Sequence, residues 1–142
     1  MNKVIFPAIM IIFLASKVYG FVNIEKIIAI ESSGNTLARS DKGAVGSMQI
    51  TPIVLLEFNK FEQKSYTFKD LENHSKNVEI GDWYINARIP QLHKALKIPD
   101  TLDNRLISYN AGVAKTIGYI RHNRKLPPET KNYIKKYKGI ER

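Results

Sequence analysis

Glu31 is the residue of this sequence whose type and position most directly suggest chemistry. Ile24, Ile27 and Ile28 recur at i, i+3 and i+4, which marks one face of a helix, and the same face wants an apolar residue at i+7, where the chain has Glu31. A carboxyl turned toward a core loses hydration, and near the end of a helix it also meets the negative pole of the dipole. Both effects favour its protonated form. A glutamic acid prepared in this way can act as a general acid near neutral pH, as in the protonation of a glycosidic oxygen. On the helical pattern alone, a solvated glutamate at a helix end is the commoner occurrence, by about two to one.

A second candidate is Ser108-Tyr109-Asn110-Ala111-Gly112. Tyr109 and Asn110 at a helix end can present a phenol donor and an amide, a pairing suited to holding a glutamic acid and an acetamido sugar. Core packing of Tyr109 with a locally satisfied hydroxyl serves the pattern equally well. Gly43, Gly46 and Gly112 allow positive φ and close approach of a ligand to backbone, and ordinary turns would explain them as well. Trp83, the single tryptophan, reads as a core anchor more readily than as a sugar-stacking platform. His74, His93 and His122 lack metal-ligand spacing, so neither a metal nor a cofactor is expected. With no cysteine in the chain, disulfides, thiolate metal sites and cysteine nucleophiles are excluded.

Read together, four blocks carry a resemblance: Glu31-Ser32-Ser33-Gly34-Asn35, then Ala38-Arg39-Ser40, then Gly43-Ala44-Val45-Gly46-Ser47-Met48-Gln49-Ile50-Thr51-Pro52; Asn77-Val78-Glu79-Ile80-Gly81-Asp82-Trp83-Tyr84; Ser108 to Gly112; and Leu126-Pro127-Pro128-Glu129-Thr130-Lys131-Asn132-Tyr133. In this order and spacing the chain resembles the lytic transglycosylases of the lysozyme superfamily, including the soluble and goose-type lysozyme-like catalytic domains. The resemblance implies that Glu31 is the catalytic acid/base and that Ser40 helps orient the substrate. It makes Met48 and Gln49 the floor of the cleft and has Tyr109 and Asn110 face the glutamate, with Glu129 and Tyr133 bordering the glycan subsites. It also implies cleavage between N-acetylmuramic acid and N-acetylglucosamine with 1,6-anhydromuramic acid ends. Ser47, Thr51 and Ser108 depart from the residues common at those places, which bears on subsite shape. A hydrolytic lysozyme of the same fold and a non-catalytic wall-binding accessory protein are the alternatives.

The elements that must position these residues are mostly helical. The pattern gives helices from Ile24, from Pro52 through Ile53, Leu56 and Phe58 with Thr51 as cap, and from Asn77 to Lys97 with a kink or break at Pro90. Further helices are expected over Leu102 to Tyr109, Val113 to Ile120 and Pro128 to Tyr137. Residues 36–49 form a loop or small irregular hairpin that would line the cleft. The expected fold is a mainly α, lysozyme-like domain over residues 21–142. Residues 1–20, with Lys3 before the apolar run Val4 to Ala15 and Val18 and Gly20 at the −3 and −1 positions, read as a secretory signal peptide. The expected location is therefore the periplasm or cell envelope, with membrane contact only if that segment stays uncleaved. A net charge of +9 over 142 residues calls for an anionic partner. Export favours peptidoglycan strands over nucleic acid, and a secretion, conjugation or pilus apparatus is a conceivable further partner.

Overall fold

The computed structural model describes residues 20–140, so the expected signal peptide lies almost wholly outside the described residues. Helix dominates, in the order α1 (Ile24–Glu31), α2 (Pro52–Phe61), α3 (His74–Trp83), α4 (Ile89–Ala95), α5 (Leu102–Ala111), α6 (Val113–His122) and α7 (Pro128–Gly139). No strand forms among the described residues. The loop between α1 and α2 holds two isolated antiparallel bridges, Arg39 with Val45 and Val45 with Ile50, which is the small irregular hairpin.

Helix α1 begins at Asn23, whose side chain accepts from Lys26 N at 3.2 Å, and it buries Ile27 and Ile28 completely or nearly so. Its entry is fixed from two sides. Asn86 accepts from Val22 N at 2.7 Å, and the Tyr137 hydroxyl accepts from Asn23 N at 2.8 Å. The core is one apolar cluster in which Ile27, Met48, Phe58, Leu71, Ile80, Ile85, Ile89 and Leu106 have almost no exposed surface. Trp83 packs against it, edge to face on Phe58 with ring centres 5.3 Å apart.

Three elements differ from the sequence pattern. Thr51 does precede α2, but its side chain makes no capping bond, and the buried face is Val54, Leu55 and Phe58, leaving Ile53 72% and Leu56 69% exposed. The third helix starts three residues earlier than expected, because Asn73 caps it by accepting from Lys76 N. The long segment divides just ahead of Pro90, as the pattern allows, through a π turn. The turn Tyr84–Arg88 widens to π geometry, with Ile89 N donating to Tyr84 O, so the missing N–H of Pro90 falls at the start of the next helix, where it is tolerated. A 3₁₀ turn, Phe68–Glu72, has no counterpart in the sequence pattern.

The loop that carries the bridges is held from beneath by one side chain. Asn77 has no exposed surface; its amide oxygen accepts from Met48 N at 2.8 Å, and its amide nitrogen donates to Val45 O at 2.8 Å and Leu71 O at 2.9 Å. Both donors and the oxygen of a buried amide are thereby engaged, fixing the path of residues 45–48 against Leu71.

Candidate active site

A cleft of about 510 Å³ opens between the α1–α2 loop, the start of α2, the π turn and the end of α5. Glu31, the last residue of α1, lies in it half-buried. Tyr133 of α7 donates its hydroxyl to Glu31 Oε1 at 2.8 Å. Burial is the main influence on the Glu31 carboxyl and raises its pKa; the Tyr133 hydrogen bond opposes this and the charge of Glu129 adds to it. The result is about 7, against an ordinary 4.5. A carboxyl poised there is available both as acid and, once it has given up its proton, as base.

The residues singled out from sequence meet at this cleft unequally. Ser40, Gln49, Tyr109, Asn110 and Glu129 all line it with Glu31. Met48 does not reach it as a side chain. The thioether is fully buried against Gly81, where even a Cβ would come within 2.4 Å of the sulfur, and the Met48 carbonyl accepts from the Tyr109 hydroxyl at 2.8 Å. Tyr133 is 5% exposed and meets Glu31 from below instead of bordering the cleft.

Hydrogen bonding decides which polar atoms remain for a ligand. The Ser40 hydroxyl accepts from Ala44 N at 3.0 Å and keeps its own proton to donate. Gln49, at φ 51°, gives its amide hydrogens to Ala38 O and Gly46 O, so its oxygen remains. Asn110 accepts from the buried Thr130 hydroxyl at 2.8 Å, which orients the amide and leaves its NH₂ toward the cleft. Tyr109 is the exception to expectation. Its donor is committed to a backbone carbonyl, so it ties α5 to the loop and offers a ligand only an acceptor.

Sequence reasoning missed Thr130 as the residue that orients Asn110, Asn77 as the anchor of the loop, and Tyr84, which lines the cleft beside Tyr109 at a ring distance of 5.9 Å. The quoted motifs contained all three, but only the fold shows what they hold or line. Among the described residues no group of three or more His, Cys, Asp or Glu side chains could share a metal ion.

Comparison with known proteins is decisive on family. The model of the transglycosylase SLT domain matches residues 22–132, which includes every residue that lines the cleft. The chain belongs to this family. As an SLT domain it is 32% identical to the membrane-bound lytic murein transglycosylase E of Buchnera aphidicola subsp. Baizongia pistaciae (strain Bp), a match over 88% of this chain. The chain spans 62% of the length of that curated relative. An inactive mutant of the lytic transglycosylase Slt of Pseudomonas aeruginosa superimposes with a TM-score of 0.64 at 23% identity, over 80% of this chain and 19% of that one, and shows the shared fold.

In this SLT domain, Tyr109→Phe removes the strap between α5 and the Met48 carbonyl. A loss of about 1 kcal/mol in unfolding free energy is expected for that hydrogen bond. Because the same strap fixes the loop next to Glu31, turnover is expected to fall about tenfold as well. Paired denaturant melts and rates check this, and wild-type turnover with lowered stability would make the strap purely structural.

Proposed function

We propose that this chain is an exported peptidoglycan lytic transglycosylase that cleaves the β-1,4 bond from N-acetylmuramic acid to N-acetylglucosamine and leaves 1,6-anhydromuramic acid ends. The observation that carries the reading is the half-buried Glu31 in a polar cleft, its carboxyl poised near neutral by burial and oriented by Tyr133. Family membership and the lytic murein transglycosylase relative support it.

In this mechanism Glu31 protonates the glycosidic oxygen as the bond to C1 breaks. The resulting carboxylate then removes the proton from the C6 hydroxyl of the same sugar, whose oxygen closes on C1. Holding that hydroxyl beside C1 replaces an external nucleophile with an intramolecular one. The Asn110 NH₂ is placed to receive an acetamido carbonyl, and Ser40 to donate to a sugar oxygen. The other carboxylates at the cleft are Asp41 and Glu129, both exposed. A two-carboxylate glycosidase needs its partner acid beneath the sugar at about 5–5.5 Å, or about 6.5–9.5 Å with an activated water between. Asp41 lies in the turn Asp41-Lys42-Gly43, closed by Gly43 N donating to Ser40 O, where a turn role accounts for it. The cation developing at C1 is therefore quenched from within the substrate.

The test is digestion of purified sacculi in ¹⁸O-labelled water followed by mass spectrometry of the released muropeptides. Unlabelled products lighter by one water than the hydrolytic ones, and lacking a reducible end, are expected. Label at C1 of most products would make the protein a hydrolase of the lysozyme kind, with Asp41 the next residue to change. Binding of sacculi without release of products would make it a wall-binding accessory.

A further inference from the structure

Behind the cleft lies a buried polar chain that the proposed reaction leaves unused. His93, on α4, has no exposed surface. Its Nδ1 is 3.1 Å from Asp100 Oδ1 and its Nε2 is 2.8 Å from Ser108 Oγ. Asp100 in turn receives Arg105 through two nitrogens, at 2.9 and 2.6 Å. Ser108 Oγ lies 2.8 Å from Thr116 Oγ1, which sits 3.3 Å from Gly112 O. The chain thus joins α4, α5 and α6, and it ends at residues that line the cleft, Ser108 and Gly112, on either side of Tyr109 and Asn110. The order Asp, His, Ser is that of a nucleophilic triad, but Ser108 is 1% exposed and its oxygen is engaged on both sides, so no substrate can reach it.

We propose that His93 is a positioning residue: as the neutral imidazole it holds Ser108, and through Ser108 the end of α5 that presents Tyr109 and Asn110 to the cleft. The activity arm of the test rests on the glycan-cleaving reading above; the structural arm does not.

The proton positions follow from the partners. The Arg105 fork keeps Asp100 a carboxylate, which can only accept, so Nδ1 of His93 carries the hydrogen and Nε2 carries a lone pair. Ser108 therefore donates to Nε2 and accepts from Thr116. The single hydroxyl proton of Thr116 is then taken, and its 3.3 Å contact with Gly112 O has no donor. A proton arriving at Nε2 reverses every member: imidazolium donates to Ser108, Ser108 to Thr116, and Thr116 to the Gly112 carbonyl at the cleft wall. The charged groups that face His93 are Asp100, in the link between α4 and α5, and Arg105, on α5; α6 supplies the uncharged Thr116. Burial is the largest influence and lowers the pKa of His93 below its ordinary 6.5, with Asp100 opposing and Arg105 assisting. The neutral arrangement is therefore the one present at neutral pH, and reversal belongs to the acid side.

The test is ¹⁵N NMR of the full chain titrated from about pH 8 to about pH 4, the range in which histidine changes charge. Neutral His93 is expected as the Nδ1–H tautomer, with the amide signals of Tyr109 and Gly112 moving at the midpoint of its titration. In Ser108→Ala, His93 still titrates but those amides no longer follow. In sacculus digestion, the acid limb of the kcat/KM profile shares that midpoint. It is lost in Ser108→Ala and in His93→Gln, whose amide oxygen accepts from Ser108 at every pH, while the alkaline limb set by Glu31 stays. An Nε2–H tautomer, Tyr109 and Gly112 amides that follow the titration equally in Ser108→Ala, or an acid limb unmoved in both variants overturns the proposal. Absence of turnover in the wild type counts against the glycan-cleaving reading, and the NMR arm still decides on His93.

Discussion

Glu31→Gln is expected to abolish turnover of sacculi, by a factor of at least about a thousand, while leaving the fold and glycan binding intact. The amide keeps the shape of the carboxyl and can still accept from Tyr133, but it has no proton to transfer to the leaving oxygen and no charge with which to take one back. Both halves of the proposed reaction fail together, which is why the effect exceeds that of any neighbouring residue. The same substitution has an opposite effect on stability. A folded-state pKa of about 7, against 4.5, means that the folded chain holds the Glu31 proton more tightly than the unfolded chain does. The contribution of this group is therefore fully present below about pH 4.5 and is lost as pH rises through about 7, a swing on the order of 3 kcal/mol. Glutamine does not titrate, so Glu31→Gln should be more stable than wild type at about pH 8 and nearly equal to it at about pH 4. Denaturant melts at the two pH values, beside muropeptide release, measure both effects. Activity within tenfold of wild type would remove Glu31 from the mechanism. Equal stability at both pH values would show that burial does not hold its proton.

How much of this was legible from sequence depends on what kind of fact each residue carries. Glu31 was visible because a charge at the i+7 place of an isoleucine stripe contradicts the local pattern, and such contradictions collect where function overrides packing. The helices were visible for the opposite reason, since their capping and periodicity agree with the fold at most places. What did not show was the direction of side chains that break no rule. Met48 and Tyr133 stand in motifs that suggest a cleft lining, yet one sends its side chain into the core and the other reaches Glu31 from 102 residues away. Tyr109 looked like a donor to a ligand; a backbone carbonyl 61 residues distant takes that proton. The exposed Ile53 and Leu56 misled for a related reason, because two or three apolar residues fit several helical faces and only the neighbour chosen by tertiary packing decides between them. The π turn before Pro90 has no sequence signal beyond the proline itself.

Gly46→Ala is expected to cost more than about 4 kcal/mol and to lower the melting temperature by more than about 10 °C. Two causes add. The residue has φ +83°, a conformation that L side chains adopt only at a cost of about 1–2 kcal/mol. The added carbon would also lie 2.2 Å from the Asn77 amide nitrogen and 2.4 Å from the Leu71 carbonyl oxygen, well inside contact distance. Neither neighbour can yield cheaply. Leu71 O is backbone, and moving Asn77, which has no exposed surface, breaks its bonds to Met48 N, Val45 O and Leu71 O. Gly34 and Gly43 provide the controls: their φ values, +84° and +80°, are nearly the same, but nothing lies within 4 Å of a Cβ at either. Alanine there should cost only the backbone part, about 1–2 kcal/mol. The difference between Gly46→Ala and these controls isolates the clash. Because Gly46 and Asn77 act through one contact, combining Gly46→Ala with Asn77→Ala should cost less than the sum of the two. The loop so disturbed is also the one that holds the Met48 carbonyl and Gln49 beside Glu31, so the folded fraction of Gly46→Ala should turn over more slowly than wild type at equal folded concentration. Thermal melts of the five variants decide the matter, and a Gly46→Ala protein that melts within a few degrees of Gly34→Ala would show that the loop does not rest on Asn77.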